Sequence, residues 1–178
     1  MRKSILIGFL VFSALGSYAQ YDSNFALGLR VGEPLGLNIR KYFQYGDKAF
    51  DVNIGTYGLL YGSQREYLKG EYNGAGFMFQ GIYSWHKSLL KRDQLHVYYG
   101  FGGQVNSRNH YPDDRIGQRD NKERKLSLGP AAAAGVEFDL PGNELGFFID
   151  VGTYMEAIPR PLFFHPTASV GIRLNLIK

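Results

Sequence analysis

A two-residue alternation of apolar and polar side chains recurs about eight times along this chain and constrains its fold more than any other feature. Residues 25–31, 37–40, 50–54 and 168–174 each place apolar side chains at one parity and small or charged side chains at the other. Because side chains alternate across a β-strand, each segment has one apolar face and one polar face. A soluble barrel keeps its apolar face inside. A polar face that carries arginines and aspartates fits the interior of a barrel embedded in a membrane.

The alternation predicts eight strands, most with the roughly 9–11 residues that a tilted membrane-spanning strand needs. Connections after strands two, four and six are short, whereas those after strands three and five are much longer, as in barrels with periplasmic turns and external loops. The sequence therefore predicts an all-β fold, an eight-stranded antiparallel up-and-down transmembrane β-barrel with a polar, charge-paired interior and both termini in the periplasm. The predicted strands are 21–31, 36–43, 48–57, 74–85, 95–104, 126–139, 145–154 and 167–177.

The N-terminus has the pattern of a cleavable secretion signal. Arg2 and Lys3 precede an apolar core at 5–15, and the small residues that a signal peptidase reads end at Ala19. The core is shorter than the roughly 20 residues of a spanning helix. We therefore predict a signal peptide at 1–19 and one barrel domain at 20–178.

Charge and cysteine content exclude several classes of protein. The formal charge of +4 falls to +2 when the signal is removed, and the remaining basic residues form no stripe that follows a phosphate backbone. We therefore predict no nucleic-acid partner. The absence of cysteine excludes disulfides, thiolate metal sites and a lipid anchor on an N-terminal cysteine. No cofactor or metal is predicted.

The second and third strands allow a test of register within the sequence. If Tyr45-Gly46 forms a two-residue turn, Arg40 falls opposite Asp51 and apolar residues meet apolar residues along the hairpin. A shift by one residue would destroy this match.

Charged side chains at the inward parity have two interpretations. One is a path for protons or ions. The other, which we favour, is a plug of paired charges, because eight strands leave room for little more than side chains and because buried charges need partners. The predicted interior charges are Arg30, Arg40, Asp51, His96, Glu137, Asp139, Asp150 and Arg173.

Aromatic residues at the outward parity gather near the periplasmic ends of the predicted strands. Such rings favour the headgroup level of a bilayer, although aromatics are also common in strands generally. The predicted periplasmic girdle contains Phe25, Phe43, Phe50, Tyr83, Trp85, Phe138 and Phe147.

The long connection at 104–125 is the predicted external contact surface. Its basic side chains fit lipopolysaccharide phosphates or an acidic envelope partner, and a solvated hydrophilic loop explains them equally well. The residues are Arg108, His110, Tyr111, Arg115, Arg119, Lys122, Arg124 and Lys125.

We predict a non-catalytic membrane barrel with a closed lumen that acts through its external loops or as part of an envelope assembly, and two other functions remain as alternatives. A lipid-modifying enzyme of the outer membrane would need a nucleophile and a base, and His86 with Ser88 or His165 with Ser169 are the candidate pairs. The first pair falls in a predicted periplasmic turn, and the second is too widely spaced for a direct hydrogen bond. A soluble lipocalin-like periplasmic carrier would need an apolar lumen, whereas the inward residues here are charged.

Five segments resemble the small outer-membrane β-barrel proteins of Gram-negative bacteria, with the OmpA/OmpX-like eight-stranded type as the architectural relative and uncharacterised Bacteroidota barrels as the more similar group. These segments are 27–37, 41–43, 98–103, 135–138 and 171–175. These families share no catalytic residue that could be carried over to this chain, and the resemblance implies contact with outer-membrane lipids. It also implies assembly by the outer-membrane insertion machinery, which reads a last strand that usually ends in an aromatic residue. This chain instead ends Leu176-Ile177-Lys178.

Overall fold

The protein forms a closed barrel of antiparallel β-strands. The computed structural model describes residues 25–60, 70–72, 75–89, 94–112, 123–140 and 145–177. No helix within these ranges is long and apolar enough to cross a membrane. The strands in these ranges are β1 (Phe25–Glu33), β2 (Gly36–Phe43), β3 (Lys48–Tyr57), β4 (Gly70–Tyr72), β5 (Gly76–Ser88), β6 (Leu95–Pro112), β7 (Glu123–Asp139), β8 (Leu145–Glu156) and β9 (Phe163–Ile177).

Eight of these strands pair with their neighbours in chain order, and pairing between β1 and β9 closes the barrel. Leu29 on β1 lies opposite Ile172 on β9 in this closing pair. The short β4 was not predicted. It pairs only with the far end of β6, where Gly70 lies opposite Pro112. The predicted eight-stranded up-and-down topology is therefore confirmed, with β4 added to the sheet beside β6, beyond the end of β5.

The two ends of the barrel differ in their connections. One end, which we call the turn end, holds Phe25, Ile177 and the four-residue turn at 44–47. The opposite end, the loop end, holds the connections from β3 to β5 and from β6 to β7. The link from β1 to β2 also lies at the loop end and is short, as the sequence predicts.

Tyr45 and Gly46 form the predicted two-residue turn between β2 and β3. Their φ angles are 58° and 94°, and type I′ turns require positive φ at both central residues. A backbone hydrogen bond of 3.2 Å closes the turn. Arg40 lies opposite Asp51, so the predicted register of this hairpin is confirmed.

Burial alternates along the strands with the polar side chains inside. On β1, Arg30 is 6% exposed, whereas its neighbours Leu29 and Val31 are 55% and 61% exposed. Arg40 on β2 is also buried. The barrel is thus apolar outside and charged inside, which is the arrangement expected for a barrel in lipid.

Several strands are longer than predicted. The ranges of β2 and β3 match the prediction, but β5 continues to Ser88 and β6 continues to Pro112. Polar residues such as Asn106 and Arg108 made the second half of β6 look like a loop. Both side chains face the interior and are buried there, so their polarity is compatible with a strand.

The predicted signal peptide at 1–19 and the start of the predicted strand 21–31 lie outside the described residues. The boundary of the barrel domain at residue 20 therefore stays a prediction.

Two adjacent glycines on β6 give a paired test of the barrel wall. A Cβ atom on Gly102 would lie 1.8 Å from the Gly81 carbonyl oxygen, whereas one on Gly103 would have no atom closer than 3.9 Å. We expect Gly102→Ala to lower the free energy of unfolding by about 2 kcal/mol or more. Gly103→Ala should change it by less than about 0.5 kcal/mol. Urea unfolding in detergent micelles measures both, and equal effects would contradict the described packing of β5 against β6.

Candidate functional site

Four charged side chains form a compact cluster inside the barrel near the turn end. Arg40 donates from Nε and Nη2 to the two carboxylate oxygens of Asp51, at 2.7 and 2.8 Å. Its Nη1 donates to Glu137 Oε2 at 2.5 Å, and Arg173 Nη1 lies 2.8 Å from Glu137 Oε1. Two cations and two carboxylates balance each other. We call these four residues the turn-end charge cluster.

Aromatic rings surround the two arginines of the cluster. The guanidinium carbon of Arg173 lies 3.8 Å from the centre of the Phe148 ring, and that of Arg40 lies 4.5 Å from the centre of the Tyr98 ring. A desolvated cation gains attraction from the face of a ring. Both rings are almost fully buried, so they also fill the interior of the barrel.

His86 contacts the turn-end charge cluster, although it was not predicted to lie inside the barrel. Its Nε2 lies 2.9 Å from Arg40 Nη1, and its ring stacks on Tyr98 at 5.2 Å between centroids. Because arginine can only donate, Nε2 accepts this bond. The connection predicted to begin at residue 86 begins later, because β5 continues past His86. Within β5, the His86 backbone N–H donates a hydrogen bond of 2.8 Å to the Asp47 carbonyl oxygen.

A second charge pair lies further towards the loop end. Arg30 Nη2 donates to both carboxylate oxygens of Asp150, at 2.7 and 2.9 Å. Ser169 completes the group, because its hydroxyl donates to Asp150 at 2.6 Å and accepts from Arg30 at 2.7 Å. All three side chains are buried, and every one of these contacts joins residues distant in sequence.

A chain of amide side chains runs around the inner wall from β9 to β7. Each amide accepts a hydrogen bond from the preceding residue and donates one to the next, so every member of this amide chain is paired. The donors and acceptors follow in the order Arg173 to Asn38 at 2.6 Å, Asn38 to Asn53 at 2.8 Å, Asn53 to Gln80 at 2.8 Å, Gln80 to Gln104 at 2.7 Å, Gln104 to Asn106 at 2.8 Å and Asn106 to Ser127 at 3.3 Å.

Arg108 lies inside the barrel, which corrects its predicted place in the external contact loop. It is 3% exposed and donates from Nη2 to Glu156 Oε2 at 2.5 Å. The other oxygen of Glu156 accepts the backbone N–H of Arg160 at 3.0 Å. The prediction was wrong because β6 passes residue 104 and turns Arg108 towards the interior.

Glu33 binds the backbone of the connection that follows β3, as Glu156 does for the connection that follows β8. Its two carboxylate oxygens accept the backbone N–H groups of Gly58 and Leu60, at 2.6 and 3.0 Å. His165 Nε2 lies 3.6 Å from Glu33 Oε1, and both side chains are buried. Carboxylates inside the barrel therefore hold the backbone of two connections, the one after β3 and the one after β8.

All eight charged or titratable residues predicted for the interior lie at inward-facing positions of their strands. His96 and Asp139 lie at the turn end, where His96 Nδ1 is 3.6 Å from Asp139 Oδ2 and both side chains keep partial exposure. The remaining six lie in the contacts described above.

The predicted aromatic girdle occupies outward positions near the turn end. Trp85 has its ring centre 5.2 Å from that of Tyr83 and stacks on Tyr99 at 5.8 Å. Tyr99 and Phe101 extend this girdle, and neither was predicted to belong to it. The other predicted members are Phe25, Phe43, Phe50, Phe138 and Phe147, all outward-facing or half-buried.

The residues of the predicted contact loop do not form one loop in the structure, because some of them belong to β6 and β7. Arg124 faces outwards on β7, with Nε donating to the Ser107 hydroxyl at 2.7 Å, and Lys125 next to it is half-buried. The backbone of His110 and Tyr111 belongs to β6 and pairs with β4. Three further predicted members lie outside the described residues, namely Arg115, Arg119 and Lys122.

Neither candidate catalytic pair has a nucleophile bonded to a histidine. His86 contacts Arg40, while Ser88 is exposed at the end of β5. Ser169 is engaged by Arg30 and Asp150 rather than by His165. Among the described residues, no three histidine, aspartate or glutamate side chains are placed to hold a metal ion together.

Comparison with known proteins gives a likeness of fold. No known protein family matches the sequence, and neither does any curated protein. Several solved structures are similar, among them the following three. The N-terminal β-barrel domain of Pseudomonas aeruginosa OprF has a TM-score of 0.63 at 11% identity, covering 87% of this chain and 98% of that domain. Neisserial surface protein A (NspA) has a TM-score of 0.53 at 10% identity, covering 86% and 94%. Ail, the attachment invasion locus protein of Yersinia pestis, has a TM-score of 0.51 at 10% identity, covering 85% and 93%.

The closed eight-stranded topology, the apolar exterior and these likenesses together define the class. The chain has the fold of the small outer-membrane β-barrel proteins. The predicted fold class is confirmed.

The turn-end charge cluster predicts an asymmetry between single and double substitutions. Asp51→Val leaves Arg40 and Arg173 facing Glu137 alone, so one buried positive charge loses its partner. We expect a loss of about 3–5 kcal/mol in the free energy of unfolding. Arg40→Met combined with Asp51→Val leaves the balanced pair of Arg173 and Glu137 and should cost less than Asp51→Val alone.

Urea unfolding of the detergent-folded barrel measures this difference. Lys41→Met is the control, because it removes an outward-facing charge from the same hairpin, and it should change the free energy of unfolding by less than about 1 kcal/mol. An Asp51→Val protein as stable as the parent would disprove the role of the cluster.

Proposed function

We propose that this protein is an integral protein of the bacterial outer membrane that acts without catalysis. The observation that carries this proposal is the reversed polarity of the barrel. Outward positions such as Leu29 and Ile149 are more than half exposed, while Arg40 and Arg173 are buried at 1%. Lipid stabilises an apolar exterior, and a closed barrel leaves no unpaired strand edge within the bilayer.

The orientation follows from the lengths of the connections. Outer-membrane barrels keep short turns in the periplasm and longer loops outside. The turn end has the four-residue turn at 44–47, and the loop end has the long connections. We therefore place the turn end and both termini in the periplasm, with the signal peptide removed near Ala19. Assembly would use the outer-membrane insertion machinery.

The interior supports a closed lumen rather than a path for ions. Bulky groups reach inwards at several depths, including Phe148, Met78 and Tyr154, each at most 2% exposed. Every buried arginine of the described residues contacts a carboxylate, so opposite charges adjoin in the interior instead of forming rings of one sign, which ion pathways use. Opening such a lumen would separate paired charges in a poorly solvated space.

Function would then reside at the loop end, through external contacts or within an envelope assembly. Strands β6 and β7 remain paired as far as His110 and Glu123, beyond Phe77, the last residue of β5 that pairs with β6. This extension projects the predicted contact residues, including Arg124 and Lys125, past the barrel wall. Lipopolysaccharide phosphates or an acidic envelope protein fit these basic side chains.

Cell fractionation tests the location. We expect the protein in the outer-membrane fraction, resistant to extraction by alkaline carbonate, because its exterior is apolar. Leu29→Arg places a charge on that exterior, at a cost of about 2–4 kcal/mol near the bilayer centre. It should reduce the membrane-embedded fraction. Release of the parent protein with the periplasmic wash would instead support a soluble carrier.

Planar bilayer recording tests the closed lumen. Eight strands enclose about enough room for side chains, whereas open aqueous channels appear at about sixteen strands. We expect no steady current from the purified protein, at most rare openings of small conductance. A sixteen-stranded porin is the positive control. Stable openings of porin size would contradict the closed lumen.

A further inference from the structure

Charged side chains on the outer face of the barrel are few and unevenly placed. Among strand residues with described side chains, four outward-facing ones are charged, namely Lys41, Lys48, Lys87 and Arg124. Arg124 lies at the loop end. The three lysines lie at the turn end on the adjacent strands β2, β3 and β5. The outer faces of the other described strands carry no lysine at this end.

The three lysines lie along one diagonal of the sheet. Lys41 pairs with Phe50, Phe43 pairs with Lys48, and Lys48 pairs with Trp85, two residues before Lys87. Successive lysines are therefore diagonal neighbours on adjacent strands, a spacing of roughly 7–8 Å. Aromatic rings fill the positions between them. We call this set the lysine–aromatic patch: Lys41, Phe43, Lys48, Phe50, Trp85 and Lys87.

The three lysines outnumber Asp47, the exposed carboxylate of the adjacent turn, which forms no ion pair with a described lysine, so the patch keeps a net positive charge. No described carboxylate lies within ion-pair distance of the three lysines, and the inward carboxylates nearby, Asp51 and Glu137, are bonded to arginines. Lys41 Nζ lies 5.7 Å from the centre of the Phe43 ring. Three like charges this close repel one another, so an anion bound between them would lower the electrostatic energy.

The aromatic rings indicate where this anion lies. Tryptophan and tyrosine rings favour the headgroup level of a bilayer, and lysine side chains at that level extend towards phosphates. We propose that the lysine–aromatic patch binds the head group of an anionic phospholipid in the leaflet at the turn end. This inference rests on the proposed insertion of the barrel in a membrane. Zwitterionic lipids fit less well, because their own ammonium group opposes the lysines.

Trp85 provides the probe, since it is the only tryptophan in the chain. The barrel is reconstituted in mixed phosphatidylcholine and phosphatidylglycerol vesicles in which one lipid or the other carries brominated acyl chains that quench tryptophan fluorescence. We expect brominated phosphatidylglycerol to quench Trp85 as if enriched about threefold over its bulk fraction. In 1 M salt the enrichment should fall towards one, because the Debye length shrinks to about 3 Å.

The combined variant Lys41→Gln, Lys48→Gln and Lys87→Gln should lose this enrichment. Arg124→Gln, which removes the outward charge at the other end, should retain it. Single lysine variants should each lose part of it, so the test remains decisive if the triple variant does not fold.

The outcomes separate this inference from the proposed function. If each brominated lipid quenches Trp85 of the parent protein only in proportion to its bulk fraction, the lipid site is overturned while membrane insertion remains supported. Enrichment that persists in the triple variant would also overturn it. Quenching by neither lipid would show that the barrel is not in the bilayer and would contradict the proposed function itself.

Discussion

The ion pair between Arg40 and Asp51 is the contact on which the arrangement of the interior depends. Arg40 binds Asp51 with two nitrogens, and its third reaches across the barrel to Glu137. Through Glu137 it connects to Arg173 on the strand that closes the barrel. Buried charges are costly without partners, so strand pairings that separate these four residues are strongly disfavoured. The cluster therefore helps to select one register around the barrel.

The sequence was sufficient to predict the class of fold and one hairpin in detail. Its strict alternation allows one register between β2 and β3, because a shift by one residue would expose Arg40 to lipid. The ends of β5 and β6 could not be predicted in the same way. His86 and Arg108 lie in polar stretches that resemble loops. Their partners, Arg40 and Glu156, lie 46 and 48 residues away along the chain. Such long-range pairing leaves no local signal.

The inner and outer faces depend on each other. The lack of a side chain at Gly102 allows β5 and β6 to approach each other. Phe148 fills the interior next to Arg173. Outside, the same pleat places lysine and aromatic side chains alternately at the turn end. One two-residue period thus organises a densely packed interior of paired charges and a membrane-facing surface whose outward lysines, among the described strand residues, all lie at the turn end.

The amide chain has a direction. An amide that rotated by half a turn would set two oxygens or two NH₂ groups against each other at its neighbours, so its members reverse together or not at all. Arg173 begins the chain and has no acceptor atom to offer, which forbids the reversed state. One guanidinium thereby orders the dipoles of five side chains on four strands, from Asn38 to Asn106. The part of the inner wall from β2 to β6 is therefore polarised in a single sense.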